Sequence, residues 1–492
     1  MRLSTTIGTL FTLLAGVTKA DSNTPSIKVN GNAFFDGKTG TRFYIRGVDY
    51  QPGGSSNLTD PLADADNCKR DIPVFQDLGI NTIRVYSVDN SKDHSDCMQE
   101  LQKAGIYLIL DVNTPHASLS RIDPECSYNA NYLQSVFATV DAFAQYDNVL
   151  GFFAGNEVIN EANNTFTAPY VKAVVRDMKK YMKARSYRAI PVGYSAADIS
   201  SNRELAAEYF NCGDDADARV DMFGVNDYSW CGNSDFQKSG YATKMQLYEN
   251  YSIPIFLSEF GCNQGVTDGR PFTEIGAIYS KNMSSVFSGG LVYEYSSEAN
   301  DYGLVEIDGD SVTKSNDYQN LKKQYAAHSD PSGDGGYSSD KKYSNCPSYK
   351  KDVWEANNTL PEMPSAASAY FKKGAGTPQG TKAYTQNDCG SDVHVVPAGG
   401  GNDSGSNSTL SSSSSSSSGN NTSTSTSTST SKSDSQSSSA STKSTNSKTA
   451  SIITSTRGSS TTSGHKKSKG AGPALEIPGF FSAMTELMAV IL

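Results

Sequence analysis

The sequence contains no P-loop, no GxGxxG fingerprint at a strand–helix junction and no stripe of basic residues. The first two absences remove the usual phosphate cradles of nucleotide-dependent enzymes. The third is reinforced by 42 Lys and Arg against 52 Asp and Glu, a net charge of −10. The charge balance therefore argues against nucleic acid and anionic membrane surfaces as partners, and a solvated acidic surface is expected. None of the eight cysteines forms a CxxC pair, so structural zinc is not indicated. At the N-terminus the apolar run from Ile7 to Val17 is too short to span a bilayer.

What the N-terminus does have is a secretory layout over residues 1–20: Arg2, the apolar run, then Thr18-Lys19-Ala20 as a small-residue cleavage site. Secretion makes the cysteines candidates for disulfides. The triplets starting at Asn57, Asn163, Asn250, Asn282 and Asn357 are acceptors for N-glycosylation. Residues 399–464 are almost wholly Ser and Thr, too poor in apolar surface to offset chain entropy, so an unfolded, O-glycosylated stalk is expected. Residues 465–492 bring a polar spacer and a short apolar tail. With small residues at Ser463 and Gly464, or at Gly470, they form the layout of a GPI-attachment signal.

Between these ends lies enough chain for one large domain, residues 21–330, and a smaller extension, 331–398. Ile27-Lys-Val-Asn-Gly-Asn-Ala-Phe-Phe pairs alternation with an Asn-Gly turn and predicts a hairpin. A repeated unit follows, a short apolar strand ending in polar residues and then a helical stretch. The predicted strands are 43–49, 82–88, 107–112, 149–154, 190–194, 222–226, 255–257 and 290–295. Helices are predicted over 68–78, 95–104, 132–144, 169–184 and 272–287. Eight apolar strands alternating with helices predict an α/β fold of the (β/α)8 TIM-barrel type. A doubly wound open sheet is the alternative, without its usual glycine-rich first turn.

Catalytic residues of such barrels sit at the C-terminal ends of strands. That rule selects Asp49, Tyr50, Gln51, Tyr86, Asp111, Asn113, Asn156, Glu157, Asp198, Asp227, Tyr228, Glu259, Glu294 and Tyr295. Two stand out. Glu157 ends strand four in Gly151-Phe-Phe-Ala-Gly-Asn-Glu-Val, and Glu259 ends strand seven in Pro254-Ile-Phe-Leu-Ser-Glu-Phe-Gly-Cys. Strands four and seven oppose each other across a barrel mouth. Cleavage of a glycoside needs one carboxylic acid to protonate the leaving oxygen and a carboxylate facing the anomeric carbon. The bland alternative for both is an ordinary strand-end salt bridge. His116, near the end of strand three, is assigned a structural or subsite role rather than that of a base.

Together with Ile45-Arg-Gly-Val-Asp-Tyr-Gln-Pro-Gly-Gly, Asn81-Thr-Ile-Arg-Val-Tyr, Tyr187-Arg-Ala-Ile-Pro-Val-Gly-Tyr-Ser, Gly289-Gly-Leu-Val-Tyr-Glu-Tyr and Tyr302-Gly-Leu-Val, these motifs carry a resemblance. Residues 26–326 resemble the fungal GPI-anchored β-1,3-glucanosyltransferases of glycoside hydrolase family 72. The resemblance implies Glu157 as acid/base and Glu259 as nucleophile of a retaining enzyme needing no metal or organic cofactor. It implies a β-1,3-glucan donor cut internally and joined to a second glucan acceptor. It also places Gln51, Tyr86, Asp111, Tyr293 and Tyr302 along the sugar cleft. Asn156 is expected to bond a sugar hydroxyl. Tyr228 is expected to bond Glu259 and hold its pKa low while that of Glu157 is raised.

The same likeness suggests the disulfides Cys68–Cys97, Cys231–Cys262 and Cys212–Cys346, which leaves Cys126 and Cys389 to pair by elimination. Some relatives carry a cysteine-rich carbohydrate-binding module after the barrel; with only Cys346 and Cys389 there, it is expected to be absent. The protein is expected to be a monomer held to the outer face of the plasma membrane by lipid, or in the cell wall. A plain endo-β-1,3-glucanase and a non-enzymatic wall protein are the rival readings.

Overall fold

In the computed structural model the described residues are 24–54 and 58–385. The expected signal, Ser/Thr stalk and terminal propeptide, together with Asn57 and Cys389, lie outside them. Eight parallel strands close into a barrel in sequence order: β1 Ile45–Asp49, β2 Thr82–Val85, β3 Tyr107–Asp111, β4 Val149–Asn156, β5 Val192–Ala197, β6 Met222–Cys231, β7 Ile255–Cys262 and β8 Phe287–Val292. β8 pairs back onto β1, Gly289 to Val292 beside Ile45 to Val48. The open-sheet alternative is thereby excluded.

Each strand feeds a helix that packs outside: α1 Ala65–Leu78, α2 Ser95–Lys103, α3 Ala130–Phe143, α4 Ala168–Ala184, α5 Arg203–Phe210, α6 Tyr241–Leu247, α7 Ile275–Ile278 and α8 Asn316–Ala327. α1 shows why these segments are helical. The Asp64 carboxylate caps the Asp66 N–H, Gly79 closes the far end at φ 78°, and Cys68, Ile72, Phe75 and Leu78 fall on one buried stripe. The predicted helix over 272–287 is only α7, because the chain turns through a tight loop before entering β8 at Phe287. β6 and β7 run well past their predicted ends and carry the functional residues upward.

The barrel is closed at its base. The N-terminal ribbon, Ile27–Asn30 against Ala33–Asp36, turns on Gly31-Asn32, one residue later than expected, with Gly31 at φ 55°. It inserts Phe34 among Ile109, Phe153, Phe256 and Leu291. Phe43, expected as the start of strand one, joins this ribbon instead, together with Arg42. A polar site can therefore exist only at the other end.

Disulfides Cys68–Cys97, Cys231–Cys262 and Cys212–Cys346 are all formed. Cys126 is also disulfide-bonded; its expected partner lies outside the described residues. Asn163, Asn250, Asn282 and Asn357 are exposed, as glycan acceptors must be. From 331 onward the chain forms a strap around the helical layer, fixed by Cys346 and by Trp354 buried against Tyr209. Cys212–Cys346 bridges 134 residues. The double substitution Cys212→Ser with Cys346→Ser should lower the free energy of unfolding by about 2–5 kcal/mol in denaturant titrations. An unchanged midpoint would show that the other contacts of the strap suffice.

Candidate active site

The alternation that buries β2 points Arg84 and Tyr86 to the same side, into the barrel. Arg84 is fully enclosed, with its guanidinium between the rings of Tyr86, 4.2 Å away, and Phe153, 5.0 Å away. Its Nε and Nη2 donate to the two oxygens of Asp111 at 3.0 and 2.9 Å. Its Nη1 donates to Glu259 Oε1 at 3.2 Å. Glu259, 2% exposed, also accepts from the Tyr86 hydroxyl on Oε1 at 2.9 Å and from Tyr228 on Oε2 at 2.8 Å. The register of β7 slips between Leu257 and Glu259, next to Asn226 of β6, and this irregularity aims the glutamate up into the mouth.

Glu157 stands opposite, half-buried, just past the end of β4. Asn226 Nδ2 bridges Glu157 Oε1 at 2.8 Å and Asn156 Oδ1 at 3.1 Å. The orientation of that amide is settled by its own oxygen, which accepts from the hydroxyls of Ser195 and Ser258 at 3.0 and 2.8 Å. Gly224 makes this possible, since a Cβ there would lie 2.5 Å from Ser258 Oγ. The backbone of Glu157 sits at φ 46°, a left-handed conformation costly for a residue with a side chain. Three bonds hold it there: the Glu157 N–H donates to Ser195 O at 2.8 Å, and Arg121 Nη2 and Nε donate to Glu157 O at 2.7 and 3.2 Å.

The cleft beside Glu259 is lined by Tyr86, Asp111, Asn113, Asn156, Glu259 and Tyr293 from the predicted set, with Arg121 and Val158 next to Glu157. Tyr86, Tyr228, Tyr293 and Tyr302 pack edge to face as one cluster, with centroids 5.4–6.5 Å apart. Gln51 is buried, and its amide is committed to the backbone N–H groups of Tyr86 and Ser87 and to the Thr59 carbonyl, so it braces Tyr86 from behind. Among the wider strand-end candidates, Tyr50 and Tyr295 turn outward and donate to Asp71 of α1. Asp198 and Asp227 share Lys244. Glu294 is buried and accepts from Asn300 at 2.7 Å. Arg84, Asn226 and Arg121 were not selected from the sequence. Arg84 had a signal, an arginine inside an apolar strand; Arg121, on a loop, had none.

The electrostatics depart from expectation at Glu259. Burial pushes its carboxyl up to about 7, and the Arg84 cation, the charge of Glu157 and the two phenol donors only modulate that rise. Tyr228 thus opposes the shift without cancelling it, because the carboxyl is sealed between aromatic rings. Burial also raises Asp49 well above the usual carboxylate range, against the pull of Arg84 and with Glu259 adding to the rise. Neither carboxyl oxygen of Asp49 has a hydrogen-bond partner among the described residues, which accords with that rise.

Two outcomes follow for turnover of a laminari-oligosaccharide. The phenol of Tyr228 favours the charged form of Glu259, so Tyr228→Phe should raise that pKa. The loss of kcat/KM as pH falls should then set in at a higher pH than in the parent, with activity about tenfold or more lower. Arg121→Met should lower kcat by about tenfold or more while leaving KM nearly unchanged. A change in KM alone would show that Arg121 holds sugar rather than the Glu157 backbone.

Residues 16–329 match the family model described as Glucanosyltransferase, Glyco_hydro_72. The chain is 72% identical over 383 residues to the 1,3-beta-glucanosyltransferase GAS5 of Saccharomyces cerevisiae, covering 77% of this chain and 79% of that protein. It is 59% identical over 365 residues to the 1,3-beta-glucanosyltransferase PGA4 of Candida albicans, covering 74% and 80%. In structure it is similar to Saccharomyces cerevisiae Gas2p in complex with laminaritriose and laminaritetraose, with TM-score 0.65, 43% identity, and 70% of this chain and 78% of that chain covered. With a closed barrel, two opposed glutamates and these relatives, the chain belongs to the glucanosyltransferase family, glycoside hydrolase family 72.

Proposed function

We propose that this protein is a retaining β-1,3-glucanosyltransferase, in which Glu157 is the acid/base and Glu259 the nucleophile. The observation that carries the reading is the asymmetry of the pair. Every group bonded to the Glu259 carboxylate is a donor, one of them a buried cation, as an anionic nucleophile requires. The Glu157 carboxylate stands at the open mouth and, among the described residues, bonds only to Asn226, which leaves it able to give up and regain a proton at the leaving or incoming oxygen. The glucan-bound relative supports the substrate class.

In the first half-reaction Glu157 protonates the glycosidic oxygen while Glu259 attacks the anomeric carbon, giving a glycosyl-enzyme and releasing the reducing-end fragment. Covalent capture removes the negative charge of Glu259, which lowers the proton affinity of Glu157 and turns it into a base. Glu157 then deprotonates the 3-hydroxyl of a second glucan, whose oxygen displaces Glu259 with retention. Asn156, its amide oxygen held by Asn226, presents its NH2 to a sugar hydroxyl. The tyrosine cluster supplies faces for the C–H surfaces of glucose. Transfer rather than hydrolysis results when a bound acceptor competes with water by proximity. The secretory and GPI layouts fit an enzyme acting on wall glucan from the outer membrane face.

Incubation with a reduced laminari-oligosaccharide should yield products longer than the substrate. Glu157→Gln should lower their formation by about 10²–10⁴-fold, and Glu259→Gln by at least as much. Shorter products alone would leave an endo-β-1,3-glucanase, and undiminished activity in either variant would remove the assigned roles.

A further inference from the structure

The strap after the barrel crosses the outside of the helical layer and finishes on the catalytic face. Its Tyr370 and Phe371 pack on Phe137 of α3 at 6.3 and 5.7 Å, and Gln134 Nε2 donates to Ala375 O and Thr377 O, both at 3.0 Å. The Gly380 N–H then donates to Asn90 Oδ1 at 3.0 Å, in the loop that follows β2. At its described end the Thr385 N–H donates to His116 O at 3.0 Å, and Asn129, the N-cap of α3, donates to Thr385 O at 3.1 Å. Asn90, His116 and Asn129 all follow strand C-terminal ends, which is the side of the cleft.

Of the strap aromatics, Trp354 and Tyr370 are buried and serve as anchors, whereas Tyr343, Tyr349 and Tyr384 are exposed. Among the exposed three, Tyr384, 60% exposed, sits between the buried residues Ala383 and Thr385. Its ring lies 5.4 Å from that of His116, and the residues immediately before His116, Thr114 and Pro115, line the cleft. Ile122, 91% exposed, follows Arg121 at the same wall. A strap tied down on both sides of a solvent-facing phenol, and backed by an imidazole, costs little further ordering when a planar apolar surface meets it.

We propose that Tyr384, seated on His116, forms an outer glucosyl subsite through which the post-barrel strap binds a glucan chain emerging from the cleft. The inference rests on the β-1,3-glucan reading above. It gives the fold a carbohydrate contact beyond the barrel. The chemistry is that of an aromatic face against the axial C–H bonds of one glucose unit, with no polar group required for specificity.

The test uses the full secreted chain carrying Glu157→Gln, so that bound oligosaccharides are not consumed. Dissociation constants are measured calorimetrically for a series of laminari-oligosaccharides of rising length. The parent should bind more tightly as the chain grows. Adding Tyr384→Ala should weaken binding of the long members relative to the short ones by about 3- to 10-fold, and Tyr384→Trp should restore the difference. Equal weakening at every length would mark Tyr384 as a structural residue and overturn the subsite, as would an unchanged length dependence. If the parent binds no laminari-oligosaccharide of any length, the substrate reading itself falls and the subsite with it.

Discussion

A single buried cation organises this barrel. Arg84 lies on the axis, stacked between Tyr86 and Phe153, and touches Asp111, Glu259 and, at 3.9 Å, Asp49. An unpaired guanidinium at that depth would be strongly destabilising, and so would three ionised carboxyls. The arrangement is tolerable because Asp111 forms a two-pronged pair with it, Nη1 donates to Glu259 and to the Ser258 carbonyl, and burial disfavours the charged form of Asp49. Glu259 is thus one member of a charge cluster that already has to exist for the core to be stable.

The layers on either side follow from that cluster. Below it the ribbon residue Phe34 and the inward rings of Phe153 and Phe256 fill the barrel with apolar matter, excluding water from the base. Above it the tyrosine cluster separates the cation from solvent while its hydroxyls reach down to Glu259. The other glutamate is positioned by different means. Glu157 gains its place from a left-handed backbone held at both ends and from one amide whose direction is set by two serines on neighbouring strands. A Glu259 fixed through its side chain thus faces a Glu157 fixed largely through its main chain.

Much of this was legible before any coordinates. Period and spacing of the apolar runs imply eight strands, and the strand-end rule finds both glutamates, because each depends on local pattern. Tyr228 as a partner of Glu259 was legible for the same reason. What escaped was whatever depended on three-dimensional closure. The role of Gln51 as a brace behind Tyr86 comes from the β1–β2 junction. Asn226 matters because β5, β6 and β7 converge on one amide. Arg121 comes from a loop with no periodicity to read. The raised pKa of Glu259 reflects how completely the rings close over it, a property of packing that spacing along the chain does not encode.

The Cys231–Cys262 bridge joins the ends of β6 and β7, the two strands that carry Tyr228 and Glu259. Tyr228 and Glu259 are consequently tethered to each other through a covalent loop rather than through packing alone. Such a bond persists only under oxidising conditions. The tether is therefore absent while the thiols remain reduced, so the geometry of this pair depends on the redox state of its surroundings.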